Sequence, residues 1–194
     1  MTLDLTIRGD ILTEASDAEL VRAAQEGDKA AFAALYRRYL DRIYRYFYAR
    51  TGDVQRAEDL TAQTFVAALE ALHRYRERGY FSAWLFTIAA RRYADHCREP
   101  RPASLDREPP VCADPVDPLP MPERMVAHAE RDAALVEALQ TLTPDRAQAI
   151  GLHFFGGLTY KETARAMKRS RVAVKSLIHR GLQDLRERLD DEVT

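Results

Sequence analysis

Residues 158–189, LTYKETARAMKRSRVAVKSLIHRGLQDLRERL, decide the fold of this chain. Thr159 with Glu162 three residues on makes a capping box, so a helix is expected from about Tyr160 to Met167. Ser170 is a second N-cap, and a longer helix follows it. There Val174, Leu177, Ile178, Gly181, Leu182, Leu185 and Leu189 recur every three or four residues and mark one buried stripe. The other face carries Arg171, Lys175, Ser176, His179, Arg180 and Gln183, with few acids until Asp184.

Two helices joined by a tight turn, the second basic on its outer face, are what a helix-turn-helix requires. The second helix lies in the major groove and its N-terminal half meets base edges. Arginine and lysine pair with guanine there, and glutamine with adenine. Lys161, Arg165, Lys168 and Arg169 add charge for phosphates, which position the helix without reading sequence. The same pattern also fits a helical hairpin with a solvated charged face.

Working outward, the 194 residues suffice for one domain or two small ones. A hydrophobic fraction of 46% supports a core, and 30% charged residues keep it soluble. The net charge is −1, so any affinity for nucleic acid must come from segregated charge. Two cysteines, Cys97 and Cys112, are too few for a disulfide framework and read as free thiols in a reducing cytoplasm. No apolar run approaches the ~20 residues of a membrane span. The start, MTLDLTIRGD, lacks a basic signal-peptide region, and a cytoplasmic protein is expected.

In chain order, residues 1–13 read as a loose tail. Ser16 or Asp17 caps a short helix that Gly27 ends, and Asp28 caps the next. From Lys29 to Arg50, Phe32, Leu35, Tyr36, Tyr39, Leu40, Ile43, Tyr44 and Phe47 mark an amphipathic helix. Asp53 caps a third helix to about Leu72, with Val54, Ala57, Leu60, Phe65, Ala68, Leu69 and Leu72 inward. HRYRERGYF, residues 73–81, is polar, basic and aromatic and reads as a loop. Ser82 caps a fourth helix with Trp84, Leu85, Ile88 and Ala89 inward, ending at Pro100. Residues 101–122 are proline-rich and net acidic, a composition that stays extended. About 20 such residues at ~3.3 Å each reach ~65 Å, roughly two duplex turns of ~34 Å, so two domains could sit on separate DNA sites. A helix from Glu123 to Thr141 follows; Thr143 caps the next, with Pro144 at its first position, and Gly156-Gly157 ends it. The whole is all-α: two small helical domains, 14–100 and 123–189, joined by a flexible proline-rich linker, with a tail at 190–194.

The segments AEDLTAQTF (57–65), FSAWLFTIAARRYADH (81–96), LTPDRAQAIGLHFFGGLTYKETA (142–164) and VAVKSLIHRGLQDLR (172–186) come in the right order and spacing to carry a resemblance. The chain resembles the extracytoplasmic-function group of the sigma-70 family of bacterial RNA polymerase sigma factors. That resemblance implies that residues 14–100 are region 2 and 123–189 region 4. It places Asp59, Gln63 and Phe65 on the surface that grips the clamp helices of the largest polymerase subunit. Promoter melting and −10 recognition would fall to Arg74, Tyr75, Arg76, Arg78, Tyr80, Phe81, Arg91, Arg92, Asp95, His96 and Arg98. Stacking aromatics with interleaved cations are the chemistry that holds single strands. The −35 element would meet Lys168, Arg169, Arg171, Lys175, Ser176, His179 and Arg180. Where the family has glycine and then an aliphatic residue in the turn, this chain has Lys168 and Arg169. A lost glycine costs a favourable left-handed position, and Arg169 should turn outward as an extra phosphate contact. Implied partners are core RNA polymerase, through its clamp helices and flap, promoter DNA, and an anti-sigma protein; membrane insertion is not implied.

No catalytic constellation is spaced for chemistry: Glu58/Asp59 and Asp190/Asp191 read as solvated or capping acids. His96, Cys97 and Cys112 lack zinc-site spacing. No glycine loop for phosphate occurs. A non-enzymatic protein without cofactor or metal is expected. The competing reading is a helix-turn-helix regulator with a sensory or dimerising N-terminal domain, which has no use for a basic aromatic strand trap at 73–81.

Overall fold

The computed structural model describes residues 14–76, 79–98 and 133–191. Among these it is helical and shows no strand, as expected. The first domain comprises α1 (Asp17–Gln25), α2 (Lys29–Thr51), α3 (Val54–Ala71), a 3₁₀ turn (Leu72–Arg74) and α4 (Phe81–Arg98). The second comprises α5 (Ala133–Gln140), α6 (Pro144–Ile150), a π turn (Gly151–Phe155), α7 (Tyr160–Ala166) and α8 (Arg171–Asp191). The expected tail at 1–13, the linker at 101–122, the helix start at 123–132, Arg78 and Cys112 lie outside the described residues.

Local chemistry sets the helix ends. Ser16 and Glu19 close a capping box on α1. Asp28 Oδ1 accepts from the backbone N–H of Ala30 (2.8 Å) and Ala31 (3.3 Å). Gly52, at φ +66°, ends α2 in the left-handed conformation that glycine adopts without penalty. Asp53 then caps α3, accepting from Arg56 N–H at 2.9 Å. One expected cap is absent: α4 begins at Phe81, a residue earlier, and the Ser82 hydroxyl bonds the Glu162 carboxylate instead.

α2 is the central element. It packs against α1 and α3, and on another side against α5 and the π turn of the second domain. Leu35, Ile43, Tyr44, Tyr46 and Phe47 are buried along it; each fully buried apolar side chain contributes about 1.5–3 kcal/mol. Tyr46 and Phe86, absent from the expected inward faces, are both fully buried and meet edge-to-face at 5.7 Å. They form the wall that receives the second domain: a β-carbon at Gly151 would sit 3.2 Å from the Tyr46 ring. A single apolar cluster joins residues of α1 to α4 with Leu152, Leu158 and Ala166. The two domains are therefore docked on a shared core, an arrangement the linker's reach did not anticipate.

Three residues expected inward are exposed: Val54 at 37%, Leu69 at 55% and Leu182 at 42%. The inward arc of α3 is filled by Ala57, Leu60, Thr61, Thr64, Phe65 and Ala68. Thr61 and Thr64 fit there because their hydroxyls donate back to Ala57 O (2.6 Å) and Leu60 O (2.7 Å).

Candidate nucleic-acid interface

The helix-turn-helix forms where the sequence places it. Thr159 Oγ accepts from Glu162 N–H at 3.2 Å, and the Glu162 carboxylate accepts from Thr159 N–H at 2.8 Å. α7 then closes in a Schellman turn: Lys168 N–H donates to Arg165 O (3.1 Å) and Arg169 N–H to Ala164 O (2.9 Å). Lys168 occupies the left-handed position of that turn at φ +53°, the only positive-φ non-glycine among the described residues. Ser170 Oγ accepts from Ala173 N–H at 3.1 Å and opens α8.

α8 is seated by Val174, Ile178, Gly181 and Leu185. A β-carbon at Gly181 would approach Ile150 Cδ1 to 2.7 Å and Arg146 Cβ to 3.3 Å, so glycine lets α8 lie close on α6 without displacing the Ile150 side chain. Arg146 on α6 pairs with Asp184 and fixes the crossing. The opposite face points to solvent: Arg171, Lys175, His179 and Arg180 are exposed and Ser176 is half-buried. The exposed Val172, at 78%, lies among them. Lys168 is exposed beside them, whereas Arg169 turns back to Asp145 at 2.6 Å.

The basic aromatic segment is folded against α4. Gln25 Nε2 donates to Leu72 O (2.9 Å) and Tyr75 O (2.7 Å), tying it to α1. A cleft of about 260 Å³ opens there, lined by Tyr75, Arg76, Tyr80, Ala83, Trp84, Thr87 and Arg165. Tyr75 lies 4.7 Å from Trp84, which forms one wall. Arg74 and Arg76 are exposed nearby. Phe81 is 3% exposed, packed on Tyr39 at 5.5 Å, so it supports the cleft from beneath and does not face a ligand. Further along α4, Arg91 and Arg98 flank Asp95 at 3.9 and 3.1 Å. Arg92 and His96 are half-buried.

Tyr80 is covered by the second domain. The Arg165 guanidinium carbon lies 3.2 Å from its ring centroid and Lys161 Nζ 5.1 Å. A hydrogen bond from Lys161, with the Arg165 charge, holds the Tyr80 phenol below its usual pKa. Burial pushes the Glu162 carboxyl up, but hydrogen bonds from Ser82 and Thr159 outweigh it and hold the group below its ordinary range. Arg42 completes the junction, donating from Nε to Gly156 O (2.7 Å) and from Nη2 to Gly157 O (3.1 Å).

On α3, Asp59 and Gln63 are exposed, but Phe65 is 6% exposed and packs on Tyr36 at 4.6 Å. Val66 (58%) and Leu69 (55%) extend the exposed face instead. The sequence signal for them was an apolar residue on both sides of the helix, which periodicity resolved toward the wrong side for Leu69. Among the described residues no group of side chains could hold a metal ion, and no helix is long and apolar enough to cross a membrane.

Two family models match the chain, Sigma-70 region 2 over residues 35–101 and Sigma-70 region 4 over residues 132–185. The chain is 38% identical over 175 residues, 90% of its length, to the ECF RNA polymerase sigma factor BldN of Streptomyces coelicolor, and spans 66% of that protein. It spans 64% of SigE of Mycolicibacterium smegmatis, so it matches just under two thirds of both. Against SigD of Mycobacterium tuberculosis it is 33% identical, covering 100% of this chain and 91% of that one. Among solved structures, CnrH in complex with the cytosolic domain of CnrY superposes with a TM-score of 0.65 at 26% identity, covering 90% and 97% of the two chains. RpoE from Bartonella quintana, in complex with the anti-sigma factor NepR, shares the fold at a TM-score of 0.61 and 20% identity, covering 82% and 96%.

Proposed function

The chain belongs to the extracytoplasmic-function group of the sigma-70 family, and from that premise we propose that it is a promoter-specificity subunit. It directs core RNA polymerase to particular promoters in the cytoplasm and opens the −10 region, with no catalysis of its own. The observation that carries this reading is the division of α8: Val174, Ile178 and Leu185 are buried while Arg171, Lys175, His179 and Arg180 stay exposed, although the domains are docked. A helix walled in by its own core would not serve; this one presents its cations to a major groove.

The −35 element meets Arg171, Lys175, Ser176, His179 and Arg180, with Lys168 on a phosphate; Arg169 reaches one only after leaving Asp145. Single-strand capture belongs to the cleft of Tyr75, Tyr80 and Trp84, with Arg74 and Arg76 for phosphates. Arg91, Arg92, Asp95, His96 and Arg98 lie along the −10 reading helix. Asp59 and Gln63, joined by Val66 and Leu69, grip the polymerase clamp helices, and Phe65 shapes that face from inside. The second domain meets the polymerase flap. An anti-sigma protein is a further partner, as CnrH and RpoE were solved with CnrY and NepR. An ordinary regulator needs neither the aromatic cleft nor the apolar outer face of α3.

In vitro transcription tests the reading. Purified core polymerase with this chain should initiate at discrete promoters of its own genome; no promoter-dependent initiation on any genomic template would refute it. Lys175→Ala and Arg180→Ala should each weaken binding to a −35 duplex by about 1–3 kcal/mol.

A further inference from the structure

Val172 stands where an apolar side chain does nothing for the fold. At 78% it is the most exposed large apolar residue among those described, ahead of Val66 at 58%. Single exposed apolar residues are ordinary on a protein surface, but the placement of this one is specific. It is the second residue of α8 and shares one outward stripe with Lys175, Ser176 and His179, at spacings of three, four and seven. Arg171, also exposed, precedes it. Helix side chains lean toward the N-terminus, so the two methyls of Val172 lead the end of α8 that enters a major groove. Leu182, exposed at 42%, lies ten residues on, about 15 Å down the axis and beyond the N-terminal half that meets base edges.

We infer that Val172 is a specificity-determining residue, whose methyl groups close on the C5-methyl of a thymine in the duplex that α8 reads. The inference rests on the reading of α8 as a major-groove helix. Thymine alone of the four bases carries an apolar group on its major-groove edge. Arg171, Lys175, Ser176 and His179 offer charge and hydrogen bonds, which suit phosphates and polar base edges but which a methyl cannot take up. Valine suits the methyl on two counts. Its χ1 is already restricted in a helix, so little freedom is lost when it is pressed on a base. It is also short, so it touches a base only once the N-terminus of α8 is seated in the groove, whereas the long side chains of Arg171 and Lys175 reach phosphates from further out. Cytosine in that place offers no methyl, and adenine or guanine sets a polar edge against the valine. The contact therefore selects one base at one position, while the flanking cations supply affinity that is indifferent to sequence.

The test deletes methyls from the DNA and from the protein in turn. The full chain, with and without core polymerase, selects duplexes from a randomised pool, and the enriched duplex becomes the probe. Each of its thymines is replaced singly by uracil, which pairs identically and lacks only the C5-methyl, and affinity is read by fluorescence anisotropy. With the wild-type chain, one thymine is expected at which the exchange weakens binding about fourfold, the effect of burying one methyl-sized group. Val172→Ala places a better helix former at an exposed site, so the variant folds. It is expected to bind the thymine and uracil probes equally at that position, and to lose the thymine there in a repeated selection. A wild-type chain indifferent to every uracil would overturn the inference. So would a uracil effect that Val172→Ala keeps in full, because another side chain would then hold the methyl. If no duplex is enriched, the duplex-reading role of α8 fails and the inference with it; an enriched duplex without a valine-dependent thymine strikes the inference alone. Valine-dependent thymine selection without promoter-dependent transcription would leave the inference standing and remove the polymerase reading.

Discussion

Replacing Lys168 by glycine should stabilise the protein and weaken its hold on DNA at the same time. Lys168 sits at φ +53° in the turn between α7 and α8, where its own N–H and that of Arg169 close the Schellman hydrogen bonds. A residue with a β-carbon gives up about 1–2 kcal/mol there. Glycine recovers that, less the ~0.4–1 kcal/mol by which it loosens the unfolded chain. The net gain is about 0.5–1 kcal/mol, or roughly 1–4 °C in Tm for a chain of this size. Urea unfolding followed by circular dichroism should show a higher midpoint at unchanged slope. Lys168→Ala keeps the β-carbon and should show no gain. Both substitutions delete the same charge, so both should lower the salt dependence of duplex binding by about one released counterion, a slope change of ~0.9. A Lys168→Gly protein no more stable than Lys168→Ala would refute the assignment of backbone strain to this turn.

Other expectations follow from packing and burial. In Gly156→Ala the new β-carbon meets Leu152 O and the Phe86 ring, each at 2.7 Å; a loss of about 1–3 kcal/mol is expected in chemical denaturation. The Tyr46 hydroxyl is buried with no hydrogen-bond partner among the described residues, so Tyr46→Phe should be stabilising by about 1 kcal/mol, since an unsatisfied buried polar group costs about 1–3. Burial pushes the Tyr46 phenol up to about 12 and raises Tyr39, Tyr44 and Tyr93 as well. Folded pKa values above the ordinary 10.0 mean stability that is whole below pH 10 and lost as pH climbs through the folded values. Unfolding and phenolate absorbance should therefore rise together between about pH 10 and 12, and Tyr46→Phe should shift that transition to higher pH.

Much of this molecule is legible in one dimension because its signals are local. Capping boxes at Ser16 and Thr159, the glycine stop at Gly52 and the three-and-four spacing of Val174, Ile178, Gly181 and Leu185 each involve atoms within a turn or two of one another. Those determine the helices, and the basic face of α8 follows from the same period. The departure at Lys168 also announces itself, since the left-handed position is set by hydrogen bonds three and five residues apart. Periodicity fails where an apolar residue lies at the edge of an arc. Leu69 and Leu182 fit the stripe yet face water; Phe65, which the same period places inward, and Phe81 are core, although the resemblance gave both a contact role. What only the tertiary structure decided is the junction between the domains. Glu162 reads as a cap and also holds Ser82, eighty positions away; Arg42, marked by no local signal, grips the Gly156-Gly157 carbonyls. No spacing encodes such pairs, because shape and polar complementarity between distant surfaces exist only once both are folded, and a chain that reaches far enough to keep two domains apart is equally able to let them meet.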